Sequence, residues 1–293
     1  MRFTKMEGLG NDYVYVNCLA EQIDNPASLV QMVSDRHFGI GSDGLILIRP
    51  SSVADFFMEM FNADGSRSEM CGNGIRCVGK YVYDHGLTDK TRVDVNTLAG
   101  IKHLELHVED GVVATVTVDM GEPVLEAGLI PVVAEQSPVV AQPIEVCGQT
   151  FEMTCVSMGN PHAVVFVDDV EGFPVEEIGR PFEFHPAFPR RVNAEFVQVI
   201  SPTEVAMRVW ERGTGETLAC GTGACATTVA CILNGRTEDE ITLHLLGGDL
   251  KVRWDREQNR VFMTGPATTV FDGEIDISRC GVDEPPHVVD PSW

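Results

Sequence analysis

Positive charge is scarce in this chain: 21 lysines and arginines stand against 44 aspartates and glutamates, a formal net charge of -23 over 293 residues. Such a surface repels phosphate backbones and anionic headgroups, so neither a nucleic acid nor a membrane is the expected partner. Long apolar runs are missing too. No stretch approaches the ~20 residues of a membrane span, and Met1 to Asp12 mixes Arg2, Lys5 and Glu7 with glycines where a signal peptide would be apolar. The expected location is cytoplasmic. No C-x2-C pair exists, and the spacings 71/77, 220/225 and 225/231 are not those of a closed metal site, which argues against structural zinc. The nine cysteines (18, 71, 77, 147, 155, 220, 225, 231 and 280) are odd in number, in a chain long enough for two domains. That speaks for reduced thiols rather than a secreted disulfide framework.

What is present is an internal repeat. Met58 to Gly74 reads MEMFNADGSRSEMCGNG and Met207 to Gly223 reads MRVWERGTGETLACGTG. Each places C-G-x-G thirteen residues after a methionine, with an offset of 149 between the copies. The same offset carries Gly10-Asn11 onto Gly159-Asn160, so that in each half an asparagine precedes the cysteine by 60 residues. One frame kept over that distance, at half the chain length, implies two halves built on one plan.

Each half has the same coarse grammar. Short β-rich runs (Tyr13 to Val16, Phe56 to Phe61, His103 to Val108 and Val112 to Asp119; then Ala163 to Val167, Glu195 to Ile200 and Val205 to Trp210) surround one helix that follows the cysteine. In the first half Ile75, Val78 and Val82 recur at helical spacing before Gly86. In the second, Ala224 to Leu233 is apolar almost all round, which describes a helix buried on every side. A hairpin is expected over Ile241 to Trp254, turning at Gly247-Gly248-Asp249. The fold class is therefore α+β, with two similar domains: residues 1–120, joined by 268–293, and residues 121–267. Gly121 to Pro143 reads as the join, and the tail with Pro285, Pro286 and Pro291 as irregular.

Cys71 and Cys220 each stand just before glycines that open a predicted helix. The positive end of the helix dipole is expected to lower a thiol pKa there and favour the thiolate. Gly72-Asn73-Gly74 and Gly221-Thr222-Gly223 leave backbone N–H groups free to cradle an anion. If the halves face each other, a carboxylate held between the cradles would present its α-carbon to two sulfurs. One thiolate could take the α-proton while the opposite thiol returns one, which is inversion by a general base and a general acid. The other seven cysteines read as small buried hydrophobes. Gly221 to Ala226 formally satisfies a dinucleotide-binding G-x-G-x-x-A, but without the strand and helix alternation that motif needs. Pyridoxal phosphate leaves no readable signature, so it stays open on these grounds, as does a redox-sensing thiol pair made by the same two cysteines.

GLGNDYVYVN, FNADGSRSEMCGNGIRC, SMGNPHAVVF and ERGTGETLACGTGACA together resemble the motif set of the diaminopimelate epimerase family, over about residues 3 to 275. The resemblance implies two domains, each a barrel-like sheet around a central helix, with the active site between them. It implies interconversion of LL- and meso-2,6-diaminopimelate without metal or cofactor, and a homodimer. Carried over, Cys71 and Cys220 become the proton donor and acceptor. Gly72, Asn73, Gly221 and Thr222 become binders of the reacting carboxylate. Asn11, Asn62, Asn160, Asn193, Glu211 and Arg212 become the other substrate contacts, and His162 and Glu211 tune the cysteines. Proline racemases and hydroxyproline epimerases share the paired-cysteine design but typically carry histidine where this chain has Asn73, which favours diaminopimelate.

Overall fold

The computed structural model describes residues 1–278. Cys280 and the proline-bearing tail fall outside the described residues. The first half runs β1 (Arg2–Gly8), β2 (Asn11–Asn17), α1 (Pro26–Ser34), β3 (Gly44–Arg49), β4 (Phe56–Asn62), β5 (Arg67–Ser68), α2 (Gly72–Asp84), β6 (Arg92–Thr97), β7 (Gly100–Glu109) and β8 (Val112–Gly121). The second runs β9 (Gln142–Val146), β10 (Gln149–Ser157), β11 (Pro161–Phe166), α3 (Val175–Glu183), β12 (Asn193–Ser201), β13 (Glu204–Glu211), β14 (Gly215–Thr217), α4 (Gly221–Leu233), β15 (Glu240–Leu245), β16 (Gly248–Asp255) and β17 (Arg260–Pro266). A last strand, β18 (Thr268–Glu274), pairs antiparallel with β1.

Strand pairing repeats the sequence frame. The parallel pair β2·β3 aligns Tyr13 with Gly44, and β11·β12 aligns His162 with Asn193, the same register moved by 149 residues. Helices α2 and α4 span equivalent residues in that frame. Beyond them it shortens by one, since β6·β7 pairs Arg92 with Glu105 while β15·β16 pairs Glu240 with Arg253. Each half closes on itself through a strand of the other. Strand β8 pairs with β17, which continues into β18 and so reaches β1. On the other side the chain leaving β8 bridges from Val124 to Ser157 at the end of β10. The result is two similar barrel-like domains, each wrapped around its own helix, with the β8·β17 pair common to both.

The helices sit where their sequences require. Ile75, Val78 and Val82 of α2 are fully buried at the expected spacing, and Ala224, Cys225, Ala226, Val229, Ala230 and Cys231 of α4 are buried all round. At roughly 1.5–3 kcal/mol for each large aliphatic side chain, that burial is what holds a helix inside each sheet. Close approach needs a missing side chain: a Cβ at Gly79 would lie 2.9 Å from Leu106 Cδ2.

The structure differs from the sequence reading in three places. Each half holds a second helix, α1 or α3, because the parallel pairs β2·β3 and β11·β12 cannot be joined by a tight turn and need a crossover. Both are short, and Pro181 interrupts the pattern of α3. The hairpin turns at Leu246-Gly247, with Gly248 already paired to Leu245. A Cβ at Gly247 would come 2.1 Å from the carbonyl oxygen of Leu9, so the turn is set by packing against the other half. Cys147, expected to be buried, is exposed in the β9–β10 turn, where it and Gly148 both take positive φ (53° and 74°) as a two-residue hairpin turn demands. Among the described residues no helix is long and apolar enough to cross a membrane.

Candidate active site

A cleft of about 1410 Å³ lies between the halves. Cys71 is the N-cap of α2, its sulfur accepting from Gly74 N–H at 3.4 Å; Cys220 is the N-cap of α4, accepting from Gly223 N–H at 3.4 Å. The two helix starts meet head to head, for a Cβ built on Gly72 would lie 3.8 Å from the Cα of Gly221. As the first N–H groups of their helices, those of Gly72, Asn73, Gly221 and Thr222 take no intrahelical partner. All four residues line the cleft. Two positive helix ends converging on one spot form an anion site.

The surroundings of the two thiols differ. Cys71 donates to Asn11 Oδ1 at 3.1 Å. Asn11 is held in that orientation by Asp43, whose Oδ2 accepts from Asn11 Nδ2 at 2.7 Å and whose Oδ1 accepts from Arg36 at 2.9 Å. Arg36 also pairs with Asp12, which the buried Lys5 joins from below. In the second half Asn160 Oδ1 lies 3.0 Å from Nε2 of His162, whose Nδ1 lies 2.6 Å from Glu195 Oε1. Both His162 and Glu195 are fully buried. Glu211 accepts from Thr217 Oγ1 at 2.5 Å, and Cys220 Sγ lies 3.5 Å from Thr222 Oγ1. Asn193 Oδ1 accepts from the backbone N–H of Arg212 at 2.7 Å, and Arg212 donates through Nη1 to Arg190 O at 3.0 Å.

The sequence expectation of thiols made more acidic by the helix dipole is not met. Burial pushes the Cys71 thiol up, outweighing the N–H groups of Gly74 and Asn73 and the Arg76 cation, all of which favour the thiolate. Cys220 is pushed up much further, by burial and then by the Glu211 and Glu195 carboxylates. Burial also raises the Glu211 carboxyl, against the opposing pull of Thr217 and His162. The helix ends do favour the anion, but burying the sulfur costs the charge more than one turn of helix returns.

Asn11, Asn62, Cys71, Gly72, Asn73, Asn160, Glu211, Arg212, Cys220, Gly221 and Thr222 line the same cleft. His162 and Asn193 do not; they stand behind Asn160 and Arg212. The side chain of Asn73 is committed elsewhere, accepting from Arg76 and donating to Ala219 O at 3.4 Å, so its backbone N–H is what it offers an anion. Sequence reasoning missed Tyr13, Asp43, Arg76 and Glu195. The repeat frame could have found Tyr13, the counterpart of His162. Nothing in a β-strand such as NAEFVQVIS marks Glu195 as buried. Among the described residues no group of three His, Cys, Asp or Glu side chains could hold a metal ion.

Comparison with known proteins gives one answer. A family model described as diaminopimelate epimerase matches residues 3–126 and 154–270. A diaminopimelate epimerase of Acetivibrio thermocellus is 60% identical over 279 residues, 95% of this chain and 100% of that one. One of Agathobacter rectalis is 61% identical over 284 residues, 94% of this chain and 100% of that one. The fold is shared with more distant solved structures. A probable proline racemase from Agrobacterium radiobacter has a TM-score of 0.69 at 14% identity, covering 96% of this chain and 94% of that one. A hydroxyproline epimerase from Agrobacterium vitis, with bound trans-4-hydroxy-L-proline, has a TM-score of 0.64 at 18% identity, covering 94% and 90%.

Proposed function

This chain belongs to the diaminopimelate epimerase family, and from that premise we propose that Cys71 and Cys220 are the base and acid by which it interconverts LL- and meso-2,6-diaminopimelate. The observation that carries this reading is the head-to-head meeting of two helix starts, each capped by a cysteine. The backbone N–H groups of Gly72, Asn73, Gly221 and Thr222 hold the reacting carboxylate. The thiolate on one side takes the α-proton, the electron pair delocalises into that carboxylate, and the N–H groups stabilise the added charge. The thiol on the other side then protonates the opposite face of the carbon, so one turnover exchanges the protonation states of the two sulfurs. Asn11, Asn62, Asn160, Asn193, Glu211 and Arg212 make the other substrate contacts, directly or through the residues they orient; amides and a guanidinium suit the second carboxylate and amine. His162 and Glu211 tune Cys220. The enzyme works in the cytoplasm as a homodimer, its two domains being residues 1–120 joined by 268–293, of which 279–293 lie outside the described residues, and residues 121–267.

The test is incubation with LL-diaminopimelate in deuterated water. Deuterium is expected at the α-carbon with the intact enzyme, and Cys71→Ala or Cys220→Ala is expected to lower epimerisation at least ~10⁴-fold, the upper range for a lost acid or base. No exchange with diaminopimelate, or exchange with proline instead, overturns the reading.

A further inference from the structure

Arg76 is fully buried, yet no carboxylate pairs with it among the described residues. Its Nη1 donates to Gly72 O at 3.2 Å and Asn73 Oδ1 at 2.9 Å, and its Nε to Pro266 O at 3.0 Å. Its Nη2 is buried with no partner at all. Room for the guanidinium is made by two glycines: a Cβ at Gly8 would lie 3.0 Å from Nη2, and one at Gly265 3.1 Å from Nε. In the repeat frame its counterpart is Cys225, so only one half carries this cation. A buried, unpaired charge is strongly disfavoured, and an orphaned donor beside it adds to that. Such a group persists where something else offsets it.

What lies in front of it offers the offset. Arg76 sits behind the first turn of α2, on the far side of the helix start that Cys71 caps. We propose that Arg76 is a positioning residue for the epimerisation: it locks Asn73 across to Ala219, the residue before Cys220, and its unpaired charge balances the thiolate and carboxylate gathered before the two helix ends. The titratable groups that face it are Cys71 and Cys77 on its own helix, Glu7 on β1, Tyr15 on β2 and, across the α2–α4 contact, Cys225. Glu7 lies at the exposed edge, where its carboxylate accepts from Gly10 N–H, so none of these neutralises the guanidinium. In the resting enzyme the cation favours ionisation at Cys71 over Cys220, whose neighbours are carboxylates. During turnover it stabilises the negative charge that builds up on the substrate carboxylate.

The inference rests on the two-cysteine reading, and the experiment separates the two. Arg76→Met keeps volume and removes charge; Arg76→Lys keeps charge and loses the fork of hydrogen bonds. Turnover of LL-diaminopimelate and the pH dependence of iodoacetamide alkylation at Cys71, read by peptide mapping, are compared for both with the intact enzyme. The Met variant is expected to lose about 10²-fold in kcat, as for removal of one preorganised charge-stabilising group, with KM little changed. Its Cys71 alkylation profile moves to higher pH, and the Lys variant recovers most of both. Wild-type kcat in the Met variant, an unmoved alkylation profile, or equal loss in the Lys variant overturns the proposal. Should the Met variant not fold, Arg76→Gln takes its place in the same comparison. Absence of exchange in the unsubstituted enzyme would instead refute the two-cysteine reading itself.

Discussion

In the first half, the asparagine facing the cysteine is held by Asp43, which is itself fastened to Arg36 at a partly exposed surface. In the second, the equivalent asparagine is held by His162 and, behind it, by a fully buried Glu195. The same backbone frame thus carries two different solutions for orienting one amide. The difference follows from what fills the space behind. Tyr13 occupies the position of His162, and its ring leaves no room at Gly44, where a Cβ would lie 2.9 Å from Tyr13 Cε1 and 2.2 Å from Phe61 O. The smaller imidazole leaves room for a side chain at the matching position, and Asn193 takes it. The halves also differ in sign: Arg76 stands near Cys71, and Glu211 and Glu195 near Cys220. Symmetry of the fold with asymmetry of charge suits a reaction that removes a proton on one face and adds one on the other.

Three measurements would break or sharpen this contrast. The largest effect is expected from Glu211→Gln, with kcat lowered about 10²-fold, within the range for a group serving proton transfer. Because the carboxylate raises the Cys220 thiol, its removal should let Cys220 ionise at lower pH and alkylate faster, while Cys71 is unchanged; equal acceleration at both cysteines would erase the contrast. Next comes Asp43→Asn, which removes the charge that fixes Asn11. A loss of about tenfold in kcat is expected, the worth of one charge-assisted hydrogen bond. The corresponding Glu195→Gln should cost more because its site is closed to water, and the reverse order would contradict the structural account. The smallest effect concerns stability. Cys77 in the first half and Cys155, Cys225 and Cys231 in the second are each pushed up to about 12 by burial. A pKa raised in the folded state means that the unfolded chain loses its protons first. Stability is therefore full below about pH 8.5, the ordinary thiol value, and falls as pH rises toward 12. Each thiol should withdraw about 2 kcal/mol by pH 10. Denaturant midpoints at pH 7.5 and 10 should converge in a variant with the three second-half cysteines changed to alanine, and much less in Cys77→Ala.

Much of the architecture was legible because the repeat is written in spacing. An offset of 149 residues placed both helices and paired both cysteines, and Ile75, Val78 and Val82 announced the inner face of α2 by period alone. The crossover helices were not legible. Nine residues with a weak or proline-broken pattern read as loop until the strands beside them are known to be parallel. Within the site, the cysteines, glycines and asparagines of the repeated motifs were found. Glu195, Arg76 and Tyr13 were missed because each sits in an ordinary strand or helix pattern, and only burial makes its polar group unusual.

By itself, then, the chain determined that there are two halves on one plan, that each starts a helix with a cysteine, and that the pair belongs together. Those are local matters of spacing, glycine and helix start. Only the tertiary structure decided how acidic the thiols are and which of them is the more so. That depends on how closely the fold brings Arg76, Glu195 and Glu211 to each sulfur and on how deeply it buries each thiol, neither of which spacing along the chain states.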